Sequence, residues 1–492
     1  MNKQVGQIGV LVLALMVALI VATTYWQVWA EGSLAAKADN AIQLVAQLEF
    51  KRGKIEAAGG RVLLAANRRV KVHGNTFYLR HYPSKGLAAQ TVGYSTQVRS
   101  RTGLEESEND YLIGANSNFN TVLSTTLDKL KGTTITGNNL VLTLHAGAQR
   151  TAANALGSQC GAVVALEPST GKVDVMASSP TFDPNLVEHH FAEINRIRAA
   201  CKPPSPLLNR ATAGLFAPGS SFKVVTATAA LDTGAYNLNS TFYDPGYCRE
   251  YGQKVHNFAD QGKPEAYGNV NFTQALEYSI NAVFCNIGKR LGAKTILDYA
   301  KRFGFYSLPP LETPSAERAK SGLYNKGKLF FPKLNRQVDP GRLAFGQERM
   351  LTSPLQMAMV ASGVANHGVV MRPYVVDKVV SPSGSLVTKT SPSKLSVAMK
   401  PRTAAELNSM MQAVVTGGTG TAAQIPGVPV AGKTGTAETG NSGINTTWFI
   451  CFAPANHPKY AVAVLLQNQT GTGGTTAAPI AKLVLESLLK GG

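Results

Sequence analysis

A serine and a lysine lie three residues apart, Ser220 and Lys223, at the start of an apolar stretch in FAPGSSFKVVTATAALDTG. On a helix this spacing puts both side chains on one face with Cβ atoms about 5 to 6 Å apart, so the amine can reach the hydroxyl. A serine needs a base to remove its proton, and a positioned base contributes roughly 10² to 10⁴ in rate. The lysine must be neutral to be that base, which implies burial or a second cation nearby. The pair predicts nucleophilic catalysis, and the backbone amide of Ser220 would be free to face an oxyanion.

A second lysine, Lys433, lies in a segment that fits two incompatible patterns, GVPVAGKTGTAE at 427–438. The first pattern, G-x-x-x-x-G-K-[ST], describes a loop that binds nucleotide phosphates. Such a loop must lead directly into a helix, because phosphate binding uses the unpaired amides and the dipole of the helix's first turn. The residues that follow are rich in Gly, Asn and Thr and have no helical apolar stripe. The sequence therefore disfavours a nucleotide site and favours the second pattern, the Lys-Thr-Gly motif of serine acyl-transfer enzymes, in which Lys433 is the second cation.

The third candidate is Ser279-Ile280-Asn281, within or at the end of a helical segment in NFTQALEYSINAVFCNIGKRLG. Its serine offers a hydroxyl for proton relay, and its asparagine offers an amide that can hydrogen-bond a peptide bond. Alone this triplet carries almost no information. Its value comes from the order along the chain: the nucleophile, then Ser-x-Asn, then Lys-Thr-Gly.

The elements that must position these motifs follow from periodicity. Helical spacing over 33–53 predicts a juxtamembrane helix, and strand-like runs from Arg52 to Tyr94 predict a small, mostly β module. A strand followed by a helix is predicted over 138–157, hairpins over 160–180 and 446–468, and a terminal helix over 475–490. Strands at both ends of a region with helices between them predict one antiparallel sheet packed by helices, an α+β domain.

The N-terminus contains an uncharged, mostly apolar run at 8–30. At about 1.5 Å per residue it can cross a bilayer core. Tyr25, Trp26 and Trp29 lie at its far end, where aromatic rings favour the membrane interface. A cleaved signal peptide is the alternative, because the strongest apolar part is short and Ala30 is small. Lys3 alone precedes the run and several lysines follow it, so charge does not fix the orientation.

The overall composition sets limits on function. Hydrophobic residues make up 44% of the chain and charged residues 16%, which is typical of a globular body, and the length suggests more than one domain. A net charge of +19 raises the question of nucleic acid, but the basic residues are scattered, so no nucleic-acid partner is predicted. A basic surface would also suit anionic lipid, cell-wall polymer or plain solvation.

Cysteine and histidine spacing gives no sign of a metal site. The five cysteines form no C-x-x-C pair and no ligand pattern with the eight histidines, so no metal and no cofactor are predicted. Two bridges and one leftover thiol can form in about fifteen ways, five choices of thiol times three pairings, and buried free thiols are equally compatible with the spacing.

Taken together, the motifs and the stretches around them resemble the class B penicillin-binding proteins, most closely the PbpA-like members without a C-terminal extension. The segments that look like the family's pedestal are RGKI (52–55), TVGYS (91–95) and GLEESENDYLIG (103–114). Those that look like its transpeptidase domain lie at 161–185, 206–223, 352–368 and 448–455. The resemblance implies an α+β, membrane-anchored protein with a small, mostly β pedestal and a transpeptidase domain similar to serine β-lactamases. The implied parts are a cytoplasmic tail (1–7), a transmembrane signal anchor (8–30), a dimerisation-like pedestal (31–137) and the transpeptidase domain (138–492).

Carried over to matching positions, the resemblance implies four catalytic side chains. Ser220 would be the acylated nucleophile and Lys223 its base. Ser279 would pass a proton to the leaving amine, while Lys433 would hold the electrostatic field around it. The backbone amides of Ser220 and Thr436 would form the oxyanion hole.

The same resemblance implies a set of substrate-binding groups. Asn281 would hydrogen-bond the amide backbone of the substrate. The hydroxyls of Thr434 and Thr436, on either side of Gly435, would meet the carboxylate of the substrate or of a β-lactam. None of these roles involves a metal or a cofactor.

By this resemblance the reaction is D,D-transpeptidation, in which Ser220 displaces the terminal D-Ala of a D-Ala-D-Ala stem and an amine of a second stem captures the acyl-enzyme. That chemistry would put 31–492 outside the cytoplasmic membrane of a single-pass protein. The implied partners are peptidoglycan stem peptides, β-lactams, the membrane, and division or elongation proteins. A glycosyltransferase is among these partners, because the chain is too short to include one upstream.

Two alternatives remain open from the sequence. A D,D-carboxypeptidase or a β-lactamase would use the same site with water as acceptor. A slowly acylated sensor or scaffold would act through partners of the cell-wall machinery. Three positions depart from the family pattern outside the motifs, His145, Glu348 and Cys451, and these could alter access to the cleft.

Overall fold

A computed structural model describes residues 2–25, 48, 50–73, 75–97, 100–115, 134–258, 266–333, 337–440 and 443–491. The first helix, α1 (Asn2–Thr24), contains 23 residues, a length of roughly 35 Å. Its segment Gly6–Thr24 is long and apolar enough to cross a membrane and is entirely exposed. The predicted interface residues Trp26 and Trp29, and nearly all of the predicted juxtamembrane helix, lie outside the described residues.

The remaining described helices are α2 Ala89–Val92, α3 Gly103–Ser107, α4 Asn109–Leu112, α5 Ala146–Leu156, α6 Phe191–Asn195, α7 Lys223–Asp232, α8 Phe272–Glu277, α9 Asn281–Arg302, α10 Pro340–Ala344, α11 Pro354–Ala365, α12 Pro401–Thr416 and α13 Gly473–Leu489. The described strands are β1 Ile55–Glu56, β2 Leu63–Val72, β3 Asn75–His81, β4 Asn139–Leu142, β5 Gly161–Leu166, β6 Val173–Ser179, β7 Thr241–Asp244, β8 Tyr247–Glu250, β9 Gln253–His256, β10 Gly268–Asn271, β11 Gly322–Asn325, β12 Lys328–Phe330, β13 Met350–Leu351, β14 Val369–Met371, β15 Val376–Val380, β16 Leu386–Lys389, β17 Lys394–Val397, β18 Ala431–Glu438, β19 Asn445–Ala453 and β20 Tyr460–Gln469.

A six-stranded sheet in the order β16-β15-β4-β1-β2-β3 joins the N-terminal strands β1, β2 and β3 to three strands from beyond residue 137. Strand β2 pairs with β3 in an antiparallel ladder, and β1 joins β2 to β4. A buried ion-pair cluster supports this sheet, because both Arg52 and Arg80 bond the fully buried Glu105. The pairing of β4 with β1 carries the sheet across position 137/138, where the sequence predicts a domain boundary, and that boundary stays a prediction.

The second module is organised by a five-stranded antiparallel sheet in the order β18-β19-β20-β5-β6. Its strands are buried on both faces, and β5 shows this because successive side chains point to opposite faces of the sheet. Val163 and Ala165 pack in one hydrophobic cluster with α5 and α13, and Val164 packs in the other with α7 and α11. The two predicted hairpins, the strand-to-helix segment and the terminal helix are all confirmed. The predicted α+β class is confirmed with them, and β18 lies at one edge of the sheet.

Four of the five cysteines form disulfides, Cys160–Cys201 and Cys248–Cys285, and Cys451 is a buried free thiol in β19. The structure therefore selects one of the pairings that the sequence left open. Burial raises the pKa of Cys451, so its thiol stays protonated and behaves as a small apolar side chain.

Candidate active site

Ser220 lies in a short 3-10 turn, Gly219–Phe222, that runs directly into α7. Gly219 has a φ of 51°, and a Cβ at this position would come within 2.5 Å of the carbonyl oxygen of Thr436. Only glycine allows the turn to approach the edge strand this closely. The predicted apolar helix is confirmed, since every residue of α7 is buried and the helix ends at Asp232, shortly before Gly234.

The Lys-Thr-Gly motif lies on the edge strand β18, at Lys433, Thr434 and Gly435. Lys433 lies inside this strand and does not lead directly into a helix, so the strand excludes the phosphate-loop interpretation. A Cβ on Gly435 would come within 2.8 Å of the carbonyl oxygen of Pro218 and 2.9 Å of the Cβ of Trp448. The missing side chain thus lets β18 pack against the turn that carries the serine.

The second motif occupies the junction between two helices. The sequence predicted that the triplet lies within or at the end of a helical segment. The structure has the second arrangement, because α8 ends at Glu277, and it adds a new helix, α9, that begins at Asn281. Ser279 lies between them with a φ of 59°, in the left-handed region that non-glycine residues rarely adopt. This backbone turns the carbonyl and the hydroxyl of Ser279 toward the same lysine, and such strain persists only where the surroundings hold it.

Lys223 is fully buried and donates to both polar residues of the second motif. Its Nζ lies 2.7 Å from the carbonyl oxygen of Ser279, 3.3 Å from Ser279 Oγ and 2.7 Å from Asn281 Oδ1. The ring of Phe284 lies against it, with the ring centroid 5.3 Å from Nζ. Among the described residues no hydrogen bond joins Lys223 Nζ to Ser220 Oγ, which lies half-buried on the turn just before α7.

Lys433 is also fully buried and meets the same serine from the other side. Its Nζ donates to Ser279 Oγ at 2.9 Å and to the carbonyl oxygen of Thr434 at 2.9 Å. The hydroxyl of Ser279 therefore bridges the two lysines. Hydrogen bonds in this way join Lys223, Ser279, Asn281, Lys433 and Thr434 into one cluster beside the turn of Ser220.

Burial determines the charge of both amines. Desolvation lowers the pKa of Lys223 well below its ordinary value, and the neighbouring charge of Lys433 lowers it further. Desolvation lowers the pKa of Lys433 to about 7. Both effects favour the neutral amine of Lys223, which is the protonation state that the sequence required of a base.

The predicted carboxylate-binding threonines have different surroundings. Thr434 is buried, and its Oγ1 lies 2.7 Å from Thr419 Oγ1. Thr436 is half-buried and accepts a hydrogen bond from the backbone N–H of Gly473 at 3.3 Å. Gly473 begins α13, so the first turn of the terminal helix supports the edge strand.

Sequence reasoning missed two supporting residues. Thr419 lies in GTGTAA (418–423), which the sequence offered only as a weak, discounted match to a dinucleotide-binding loop. Trp448 donates its Nε1–H to the carbonyl oxygen of Ala217 at 2.9 Å, next to the serine turn. No local pattern predicts the contact that either residue makes, because each contact joins separate segments of the chain. Among the described residues, no three His, Cys, Asp or Glu side chains are grouped so that they could hold a metal ion.

Comparison with protein families finds two matches in this chain. Residues 161–486 match the model of the penicillin binding protein transpeptidase domain. Residues 52–140 match the penicillin binding protein A dimerisation domain.

Two curated relatives match over the whole length of both chains. They are the proteins named peptidoglycan D,D-transpeptidase PbpA of Mycobacterium tuberculosis and of Mycolicibacterium smegmatis, and each is 34% identical to this chain, over 520 and 515 residues.

Solved structures agree with them. A ceftriaxone acyl-enzyme complex of penicillin-binding protein A from M. tuberculosis has a TM-score of 0.77 at 32% identity, covering 90% of this chain and 99% of the other. A D,D-transpeptidase domain of a peptidoglycan glycosyltransferase from Eggerthella lenta has a TM-score of 0.76 at 33% identity, with the same coverage.

Proposed function

The chain belongs to the class B penicillin-binding proteins of the PbpA type and is a serine-type peptidoglycan D,D-transpeptidase, and on this premise we propose that Ser220 is its acylated nucleophile. The observation that carries the proposal is the bridge formed by Ser279 Oγ between Lys223 and Lys433. It links a buried amine with a lowered pKa, a hydroxyl and a second buried amine beside the serine turn.

In the first step, neutral Lys223 accepts the proton of Ser220 as Ser220 Oγ bonds to the carbonyl carbon of the penultimate D-Ala. The resulting oxyanion is stabilised by the backbone amides of Ser220 and Thr436, and losing one such donor costs roughly 10² to 10³ in rate. The approach of Gly219 to Thr436 supports this pairing, because it brings the turn and the strand within contact distance.

In the second step, the bond between that carbon and the nitrogen of the terminal D-Ala breaks. The nitrogen needs a proton, which Lys223 can pass through Ser279 Oγ, 3.3 Å away. Lys433 stabilises this path from the other side. An amine of a second stem peptide then attacks the acyl-enzyme, its proton returns along the same groups, and Ser220 leaves with its hydroxyl restored.

Substrate binding uses Asn281 and the strand of the third motif. The side chain of Asn281 hydrogen-bonds the amide backbone of the stem, and β18 presents Thr434, Gly435 and Thr436 to its terminal carboxylate. The positive charge of Lys433, a buried residue of this strand, attracts that carboxylate. β-Lactams carry the same carboxylate next to a reactive amide, so they acylate Ser220 in place of the stem peptide.

The choice of acceptor tests the proposal against its alternatives. Full-length protein in detergent, given D-Ala-D-Ala stem strands and a glycan strand with a free amine, is expected to release D-Ala and form cross-linked dimers. The matched control is an acceptor strand whose amine is acetylated, which should give no dimers. Shortened stems without dimers would indicate a carboxypeptidase, and an adduct without turnover would indicate a sensor or scaffold.

We also propose a glycosyltransferase of the division or elongation machinery as a partner, because a transpeptidase acts on strands that another activity has polymerised. In the same assay, monomeric lipid-linked precursors should yield cross-links only when such a polymerase is added. Cross-links from monomers without a polymerase would contradict this partner.

For the membrane topology we propose a short cytoplasmic tail at 1–7, a signal anchor at 8–30, a pedestal at 31–137 and the catalytic domain at 138–492 outside the membrane. Helix α1 supports the anchor by its length and composition. In cells stripped of their wall, external protease is expected to degrade the protein from the pedestal onward without lysis. Protection until the membrane is broken, or a mature N-terminus beyond residue 30, would contradict this topology.

A further inference from the structure

Helix α9 begins with Asn281 but has no cap of its own. The preceding residue, Ile280, has an apolar side chain and makes no capping hydrogen bond. The first N–H groups of a helix lack intrahelical partners, and a Ser, Thr, Asp or Asn at the N-cap normally accepts from one of them. Here the side-chain oxygen of Asn257 accepts from the backbone N–H of Ala282 at 2.9 Å. Asn257 thus caps the motif helix from a distant segment of the chain.

A buried aspartate, Asp244, fixes the orientation of the side-chain amide of Asn257. Asn257 Nδ2 donates to Asp244 Oδ2 at 2.7 Å, and the two residues are 6% and 1% exposed. The carboxylate of Asp244 is itself fixed by the backbone N–H groups of Gly246, at 2.9 Å, and Tyr267, at 3.0 Å. Because a carboxylate only accepts hydrogen bonds, it holds the NH₂ of the Asn257 amide toward itself and leaves the oxygen facing α9.

The same segment also reaches the side chain of Asn281. The backbone carbonyl of His256 accepts from Asn281 Nδ2 at 3.3 Å, while Lys223 Nζ donates to Asn281 Oδ1 at 2.7 Å. The disulfide Cys248–Cys285 ties β8 to α9 one turn beyond Asn281. The amide of Asn281 is therefore held from both ends, once by the catalytic lysine and once by the residue next to the cap.

We propose that Asp244 and Asn257 are positioning residues for the Ser279–Asn281 motif, an inference that rests on the proposed roles of Ser279 and Asn281. Neither residue touches the reacting groups. They fix the start of α9, and through it the left-handed backbone of Ser279 and the amide of Asn281. A displacement of about 1 Å in such a group can cost on the order of a hundredfold in rate.

The test is acylation of the full-length protein by a fluorescent penicillin, with the acylation rate constant separated from the noncovalent dissociation constant. Asn257→Ala is expected to lower the rate constant roughly 10- to 100-fold and to change the dissociation constant much less. Asn257→Asp keeps the acceptor for Ala282 but faces Asp244 with a second carboxylate, so it should also be slow. Adding Asp244→Asn restores a donor between the two side chains and should recover part of the rate.

The matched control is Asn271→Ala. Asn271 caps the neighbouring helix α8 through a local capping box, accepting from the N–H of Gln274 at 2.8 Å, and it lies at the end of α8 that is remote from Ser279. This variant should lose thermal stability and keep its acylation rate constant. If Asn257→Ala fails to fold, Asp244→Asn alone carries the test. The two side chains have nearly the same shape, but the amide replaces one accepting oxygen with an NH₂ group, so the acylation rate constant should fall.

Three results would overturn the inference: wild-type acylation in Asn257→Ala, equal slowing in Asn257→Ala and Asn271→Ala, or no recovery in the double variant. Ser279→Ala is measured beside them. Wild-type acylation in Ser279→Ala would remove the proposed function of the motif itself. Slow acylation in Ser279→Ala together with fast acylation in Asn257→Ala would remove only the positioning role.

Discussion

Replacing Ser220 with alanine is expected to abolish covalent labelling by penicillin. The acyl-enzyme is an ester on Ser220 Oγ, so without that oxygen no bond to the β-lactam carbonyl can form at this position and the covalent label should be lost completely. The measurement is a time course of fluorescent penicillin on the full-length protein, read as label that survives denaturation. Wild-type label should be stable, because the acceptor amine is absent.

The chain provides a matched control in the next residue. Ser221 lies in the same turn, but it is fully buried and its hydroxyl donates to the carbonyl oxygen of Pro218 at 2.7 Å. Ser221→Ala should cost about 0.5 to 1.5 kcal/mol of stability and still be labelled. Label that persists in Ser220→Ala, or that is lost only in Ser221→Ala, would move the nucleophile elsewhere. Wild-type label that disappears within seconds would instead favour a hydrolase.

Much of this site follows from local pattern. A glycine before Ser220 and an apolar run after it predict a turn into a buried helix, and the structure has both. A glycine- and threonine-rich sequence after Lys433 disfavours a helix, and the structure has a strand. These features were predictable because they depend on backbone freedom and on burial periodicity, which a few neighbouring residues determine.

The contacts between distant segments were not predictable in this way. The helix break at Ser279 depends on two lysines that bond its carbonyl and hydroxyl, one from α7 and one from β18. The sheet that joins β4 to β1 and β15 depends on register between separate parts of the chain. Cysteine spacing likewise permits many pairings, and only the fold brings Cys248 to Cys285.

Replacing Lys223 with methionine is expected to slow acylation by roughly 10² to 10⁴, the contribution of a positioned base. Lys223→Arg should be about equally slow although it keeps a cation, because a guanidinium stays protonated and cannot accept the proton of Ser220. The two variants together separate the need for a charge from the need for a lone pair. Acylation rates from the penicillin time course measure both.

The pH profile of acylation in the wild type shows which protonation state each of the two lysines needs. Lys223 must be neutral, so acylation should fall as the pH drops through its pKa, which burial and Lys433 hold well below the ordinary lysine value. Lys433 should be charged to attract the carboxylate, and with a pKa of about 7 it loses that charge as the pH rises. The second-order acylation constant should therefore be bell-shaped, with its basic limb near pH 7 in the free protein.

A carboxylate bound in the site changes the protonation of Lys433 in one direction only. It stabilises the ammonium of Lys433, so in the complex the basic limb should move to higher pH while the acidic limb stays with Lys223. The rate constant at saturating β-lactam, compared with the second-order constant, measures that displacement. An acylation rate that is independent of pH, or a Lys223→Arg variant as fast as the wild type, would show that the base is not Lys223 and that the bridge through Ser279 has another role.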